Sequence, residues 1–303
     1  MNIKEMLTSP PPATGWSLDG SIAAVVRRQG QGELRCAAVE MPEDTFEVGP
    51  VGLQAVDEEK LLPVLTRLQE EVEGSRRAAV VVPTGWFRSH LLEFEELPRR
   101  QADVTDVVMW RLKKLLPVAP SSLRLATIAQ PPGDAHRRLL VLVGVERAVA
   151  SLESVFESVD VSPGLITPRA FAAADGSGPN PRVLAIQQES GFLSIMLLLD
   201  DAPRVVRTKL LPADDWPVVE RELGLTLGFV ENKLGIKDEL SVEISAENEE
   251  LAERLRAWVA SSDKLSPVVA APPVLAFAGT AIRDRVGPFR LDPVVNVVSG
   301  GVR

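Results

Sequence analysis

Two periods alternate along this chain. Some segments place apolar residues every three to four positions, as a half-buried helix does, and others carry short alternating or continuous apolar runs, as strands do. Residues 22–28 and 33–39 read as strands flanking Gly30, Gln31 and Gly32, a hairpin signal. Asp57 can cap a helix over 58–72, with Leu61, Leu65, Leu68 and Val72 on one face. A continuous apolar strand follows at 78–82, closed by Pro83, Thr84 and Gly85, and a further strand is predicted at 87–94. The spacing of Val104, Val108, Leu112 and Leu115 predicts a helix over 101–116 that Pro117 ends. Strands at 123–129 and 138–145 then flank Pro131, Pro132, Gly133 and Asp134, and a helix over 148–159 presents Leu152, Val155, Phe156 and Val159.

Residues 175–181 are rich in Gly, Pro, Ser and Asn and mark the best break in the chain. Beyond it the opening pattern returns. Strands at 183–186, 192–199 and 204–211 precede a long helix opened by Asp214 or Asp215, with Pro217 in its first turn. Its stripe is Val219, Leu223, Leu227, Val230 and Leu234, and Gly235 stops it. A strand at 240–244 and a helix capped by Ser245, carrying Leu251, Leu255 and Val259, come next. A last helix is predicted at 272–283, and 286–303 read as an extended tail. Three strands, then a helix, recur near residues 17 and 183. Such a duplicated βββαβα unit, ribonuclease H-like, points to an α/β protein of two lobes in the actin-like architecture, with a cleft between them.

Composition narrows the function. The formal charge of −9 over 303 residues opposes nucleic acid as a main partner, because phosphate is met by a basic face. Cys36 stands alone, which excludes an internal disulfide and fits a reducing compartment. The start of the chain lacks a signal-peptide-like apolar run, and no segment approaches the roughly 20 apolar residues of a membrane span. A membrane role therefore requires another protein as anchor.

The candidate chemistry is sparse. His90 and His136 read as surface residues, and no His/Cys cluster has metal-ligand spacing. Asp200 and Asp201 suit a turn, and Asp214 and Asp215 a cap. An actin-like ATPase needs small residues at the first hairpin turn of each lobe, a carboxylate at each turn to orient magnesium and water, and a glycine-rich turn beside the adenosine. Asp19, Gly20 and Ser21 have the right types and are the candidate nucleotide site, although ordinary turns carry the same residues. In the second half, Glu189 and Gly191 are not spaced for that task, and Ile244 to Glu247 offer no glycine for an adenosine.

Arg88, the Glu96-Leu97-Pro98 step and the string from Val108 through Trp110 to Pro117 resemble a segment of the PilM family, cytoplasmic actin-like proteins of type IV pilus assembly. Val141 to Val145, Gly164 to Phe171 and Ala276 to Arg283 resemble the same family in the same order, so the likeness runs from about Trp16 to Arg283. The cytoplasmic part of GspL, from type II secretion, shares the general fold. Aligned without gaps against the family's phosphate signature, Ser17-Leu18-Asp19 replaces Asp-Ile-Gly and Ala24 replaces a lysine; a one-residue gap restores Asp19 and Gly20 but not the lysine, and Ile186 or Gln187 stands where the second turn carries its aspartate. ATP and magnesium are therefore not expected as cofactors.

The polar, proline-ended start reads as a flexible arm at 1–14, and the resemblance implies lobe one at about 15–168 with an inserted α/β subdomain at about 84–147 and lobe two at about 169–285, followed by the tail at 286–303. It implies a non-enzymatic scaffold, peripheral to the inner membrane, that docks the cytoplasmic N-terminal peptide of a PilN-type membrane protein. The expected docking residues are Phe87, Leu91, Phe94, Leu97, Val104, Val108 and Trp110, in a groove between lobe one and the inserted subdomain. The alternatives are a working actin-like ATPase and a GspL-like secretion component.

Overall fold

A computed structural model describes residues 12–29, 34–116, 118–130, 137–174, 182–189, 191–200, 202–211, 215–268, 293–294 and 297–298. The antiparallel meander β1 (Thr14–Leu18), β2 (Ile22–Arg28) and β3 (Leu34–Glu40) continues into β6 (Arg77–Val82) and β10 (Ser162–Pro168), both parallel to β1. The sheet order is β10-β6-β1-β2-β3. Between β3 and β6 lie a hairpin, β4 (Phe46–Gly49) with β5 (Gly52–Val56), and helix α1 (Glu58–Val72). The hairpin escaped the sequence reading because β4 is short and leaves Glu47 and Val48 exposed, so it lacks a clear alternation.

Helix α1 forms as its pattern predicts. The Asp57 carboxylate accepts from the Lys60 amide at 3.2 Å, and Glu58 and Glu59 sit at the positive end of the helix dipole. Leu61, Leu65, Leu68 and Val72 are all buried. They pack on one face of the sheet beside α3 (Glu146–Ser158), whose Phe156 meets Trp16 edge to face at 5.4 Å. The opposite face of the sheet is covered by Ala172 and by Val294, Val297 and Val298, so part of the C-terminal segment returns to the first lobe.

β7 (Arg88–Phe94), β9 (Arg137–Val145) and β8 (Leu123–Ala129) form a separate antiparallel sheet in that order, covered by α2 (Gln101–Leu112). The predicted helix ran to residue 116. It ends at Leu112, and the amides of Leu115 and Leu116 both return to the Leu112 carbonyl. Pro117 disfavours helical backbone in the residue before it, so the last turn unwinds and leaves Leu115 exposed.

The second lobe repeats the first. β11 (Arg182–Glu189), β12 (Phe192–Leu199) and β13 (Ala202–Leu210) form a meander, and β14 (Leu240–Ala246) and β15 (Leu265–Pro267) follow in parallel. Their order, β13-β12-β11-β14-β15, reproduces the connectivity of the first sheet. Helix α4 (Arg169–Ala174) joins the lobes. Helix α5 (Trp216–Lys233) buries Val219, Leu223 and Val230, with Leu227 and Leu234 at the margin. Asp215 stands at its N-cap without a side-chain cap bond. The cap of α6 (Glu249–Ala260) is Asn248, accepting from the Leu251 amide, and not Ser245, which belongs to β14. The helix predicted at 272–283 lies outside the described residues, as does His136.

Candidate functional site

The carboxyl ends of β1, β6, β10 and β11 meet between the lobes. β1 ends in the turn holding Asp19. Its Oδ1 accepts from the Ser21 amide at 2.9 Å, the Ser21 hydroxyl at 2.8 Å and the Ile22 amide at 2.9 Å. Asp19 is buried, and one of its oxygens is fully engaged in shaping its own turn. β6 ends in Pro83 and the single turn Thr84–Trp86. The Thr84 amide donates to Glu189 Oε1, its hydroxyl donates to Gln187 Oε1 at 3.1 Å, and it accepts from the Ala170 amide at 3.0 Å. One threonine thus ties three segments together across the cleft.

At the centre is Arg169, whose side chain has no solvent exposure. Its Nε donates to Glu189 Oε2 at 2.8 Å, its Nη1 to the Ser17 hydroxyl at 3.0 Å and its Nη2 to the Leu18 carbonyl at 3.3 Å. Asp19 Oδ2 lies 3.7 Å from Nη2. A buried guanidinium is tolerated when carboxylates and hydrogen bonds surround it, and both are present. Gln188 closes the far side, its carbonyl accepting from the Glu247 amide at 3.0 Å and its side chain from the Asn248 amide at 3.2 Å.

Sequence reasoning singled out Asp19, as a nucleotide contact, and missed Arg169 and the placement of Glu189. The available signal was Arg169 as the lone charge in the run from Leu165 to Ala174. Among the described residues, no group of three or more His, Cys, Asp or Glu side chains can hold a metal.

A larger space opens beside the cleft. A groove of about 860 Å³ runs between the small subdomain and the second lobe, lined by Leu91, Arg111, Leu115, Arg204, Val206 and Phe229 among others. β7 is an edge strand of its sheet and β13 an edge strand of the second, so two strand edges border this region. Of the docking residues expected from sequence, Leu91 lines the groove. Phe94, Leu97, Val104 and Val108 pack instead in the core of the small subdomain, because α2 turns its stripe onto β7 and β9. Phe87 packs against the first-lobe core. Trp110 is 59 % exposed, with the Lys114 ammonium 4.3 Å from its ring centroid. His90, expected at the surface, is half-buried on β7, where burial, and then the charge of Arg88, holds its pKa below the ordinary value.

The sequence matches no protein-family model and no curated protein. The fold does have relatives. A structure of a PilM-PilN type IV pilus biogenesis complex superposes with a TM-score of 0.71 at 16% identity, over 97% of this chain and 98% of the other. The chain has the actin-like fold of PilM. The cytoplasmic domain of EpsL, an inner-membrane component of the Vibrio cholerae type II secretion system, matches at 0.50 and 9% identity over 96% and 95% of the two chains. A Bacteroides thetaiotaomicron protein of actin-like ATPase fold and unknown function matches at 0.51 and 8%, over 86% and 91%. In chain order, the small sheet with α2 lies between β6 and α3.

A fold named for ATPases implies a magnesium nucleotide between the lobes. The residues here do not fit one. Arg169 occupies the space between Asp19 and Glu189 where such a ligand would lie. A separate cavity of about 30 Å³, lined by Ala170, Gln187, Ser194 and Glu243, lies between α4 and the second-lobe sheet.

Proposed function

We propose that this chain is a cytoplasmic scaffold of a type IV pilus inner-membrane platform, held at the membrane by docking the N-terminal peptide of a PilN-type protein. The observation that carries the reading is the likeness to PilM over nearly the whole of both chains. No helix among the described residues is long and apolar enough to cross a membrane, which suits a protein recruited by a partner. The docking surface is the groove beside β7, where an extended peptide can lie and set its apolar side chains against Leu91, Leu115 and Phe229. Arg111 and Arg204 in the same groove favour an acidic or carboxylate group on the peptide. The cleft between the lobes takes no nucleotide in this reading, and the protein acts by holding partners together.

The test mixes the full chain with the N-terminal peptide of the neighbouring PilN-type protein and measures affinity by calorimetry. Binding that survives charge reversal at the exposed Arg99 and Arg100 and is lost in a folded Leu91→Asp variant is expected. Unaltered affinity in that variant places docking elsewhere. Thermal unfolding in millimolar magnesium ATP is expected to match that without it, since a ligand at 100 times its dissociation constant would add about 2.7 kcal/mol.

A further inference from the structure

We infer that Arg169 is an internal cation standing in for the magnesium nucleotide of the fold, and that it bolts the two lobes into one arrangement without any ligand. This deepens the closed-cleft part of the reading above and is independent of peptide docking.

In a two-lobed fold of this kind, charge must be balanced where the strand ends converge. Asp19 comes from the first lobe and Glu189 from the second, and both are buried. Two such carboxylates facing one cleft repel unless a cation lies between them. A divalent ion can supply that charge from solution, and then lobe closure depends on ligand. Here the charge is covalent. Arg169 opens α4, the segment that joins the lobes, and Pro168 before it fixes the direction in which the chain leaves β10.

The guanidinium fork suits this place better than a point charge would. One edge meets Glu189 of the second lobe, and the other meets the Ser17 hydroxyl and the Leu18 carbonyl of the first. The same Glu189 also accepts from the Thr84 amide, so the second-lobe carboxylate is held both by a first-lobe turn and by the helix that joins the lobes. A bound phosphate would have to displace the guanidinium and would meet the two carboxylates that remain. Occupancy of the cleft by Arg169 and by a nucleotide are therefore mutually exclusive.

The consequence is a scaffold of fixed shape. Interlobe distance measured by pulsed electron paramagnetic resonance tests it, with spin labels on Glu59→Cys of α1 and Glu253→Cys of α6, both exposed in the native protein. Cys36 is buried and does not compete for label. With Arg169 present, one narrow distance is expected, the same with and without millimolar magnesium ATP. Arg169→Ala is expected to lose the single peak in favour of a broad distribution. Should that variant fail to fold, Arg169→Met with Glu189→Met removes the opposed charges together at similar volume and is read in the same way. A distribution as narrow as the parent's in either folded variant overturns the bolt. A shift of the parent's distance on adding magnesium ATP overturns the closed cleft instead.

Discussion

Gly85 of the first lobe packs against the ring of Phe192 of the second, so close that a Cβ on Gly85 would stand 2.4 Å from both Cδ2 and Cε2. Phe192 is buried and opens β12, next to the turn that follows Glu189. The lobes therefore meet through close packing as well as through the Arg169 cluster. Gly85→Ala forces the ring to move or the lobes to part. Overpacking of this kind costs about 1–3 kcal/mol, and urea unfolding of the variant should show a loss in that range. No loss would mean that the ring swings aside freely and that the interface is soft.

Gly52 carries a different constraint. Its φ of 107° is one that L-residues rarely adopt, and a Cβ there would meet the Trp86 carbonyl oxygen at 2.2 Å. Backbone cannot yield as a side chain can. Gly52→Ala is expected to lose at least about 1–3 kcal/mol from backbone strain alone, and its effect should exceed that of Gly85→Ala in the same unfolding series.

The elements themselves were legible where a single periodicity governs a segment. The stripes of α1 and α5 follow from spacing, since each helix buries one face against one sheet, and β2, β3 and β11 to β13 are legible as short apolar runs between turn residues. The hairpin at Phe46–Val56 was not legible, because β4 lies on the surface and carries charge. The site was harder. Its members are Ser17, Asp19, Thr84, Arg169 and Glu189, and no local pattern links residues so far apart in the chain; only the sheet topology brings them together. The docking residues show the limit of reading apolar residues as interface. Val104 and Val108 are apolar because their own subdomain buries them, and only the three-dimensional packing separates them from Leu91.

That distinction gives a paired test on α2. Leu112 is 1% exposed in the subdomain core and Trp110 is 59 % exposed. Leu112→Ala should cost about 2–5 kcal/mol. Trp110→Ala should stay within about 0.5 kcal/mol of the parent, as surface changes do. Equal losses would mean that Trp110 is covered in solution by something that stabilises the fold.

Cys36 offers a direct measure of opening in the first lobe. Burial pushes its thiol up to about 12 from 9.0, so the reactive thiolate is scarce at neutral pH. Labelling by a disulfide reagent at pH 8 should be slow and should accelerate with denaturant in step with unfolding of the sheet that holds β3. Rapid labelling of the native protein would show that β3 opens locally.

His90 sets the pH dependence of the small subdomain. It sits on β7 opposite Val141, and burial first, then the Arg88 charge, lowers its pKa from 6.5. The unfolded chain takes up a proton as pH falls through 6.5, whereas the folded chain resists it until its own lower pKa is reached. Stability linked to His90 is therefore complete above pH 6.5 and declines as pH falls between the unfolded and folded values. Carboxylate effects enter lower. Glu146, hydrogen-bonded to Arg124, has its pKa held below 4.5, so its contribution is lost only as pH drops beneath that value. Unfolding free energies measured from pH 7.5 to 5.5 should fall for the parent and fall less for His90→Gln, which keeps a polar side chain but cannot titrate. Parallel curves for the two proteins would show that His90 is as well solvated in the folded state as in the unfolded one.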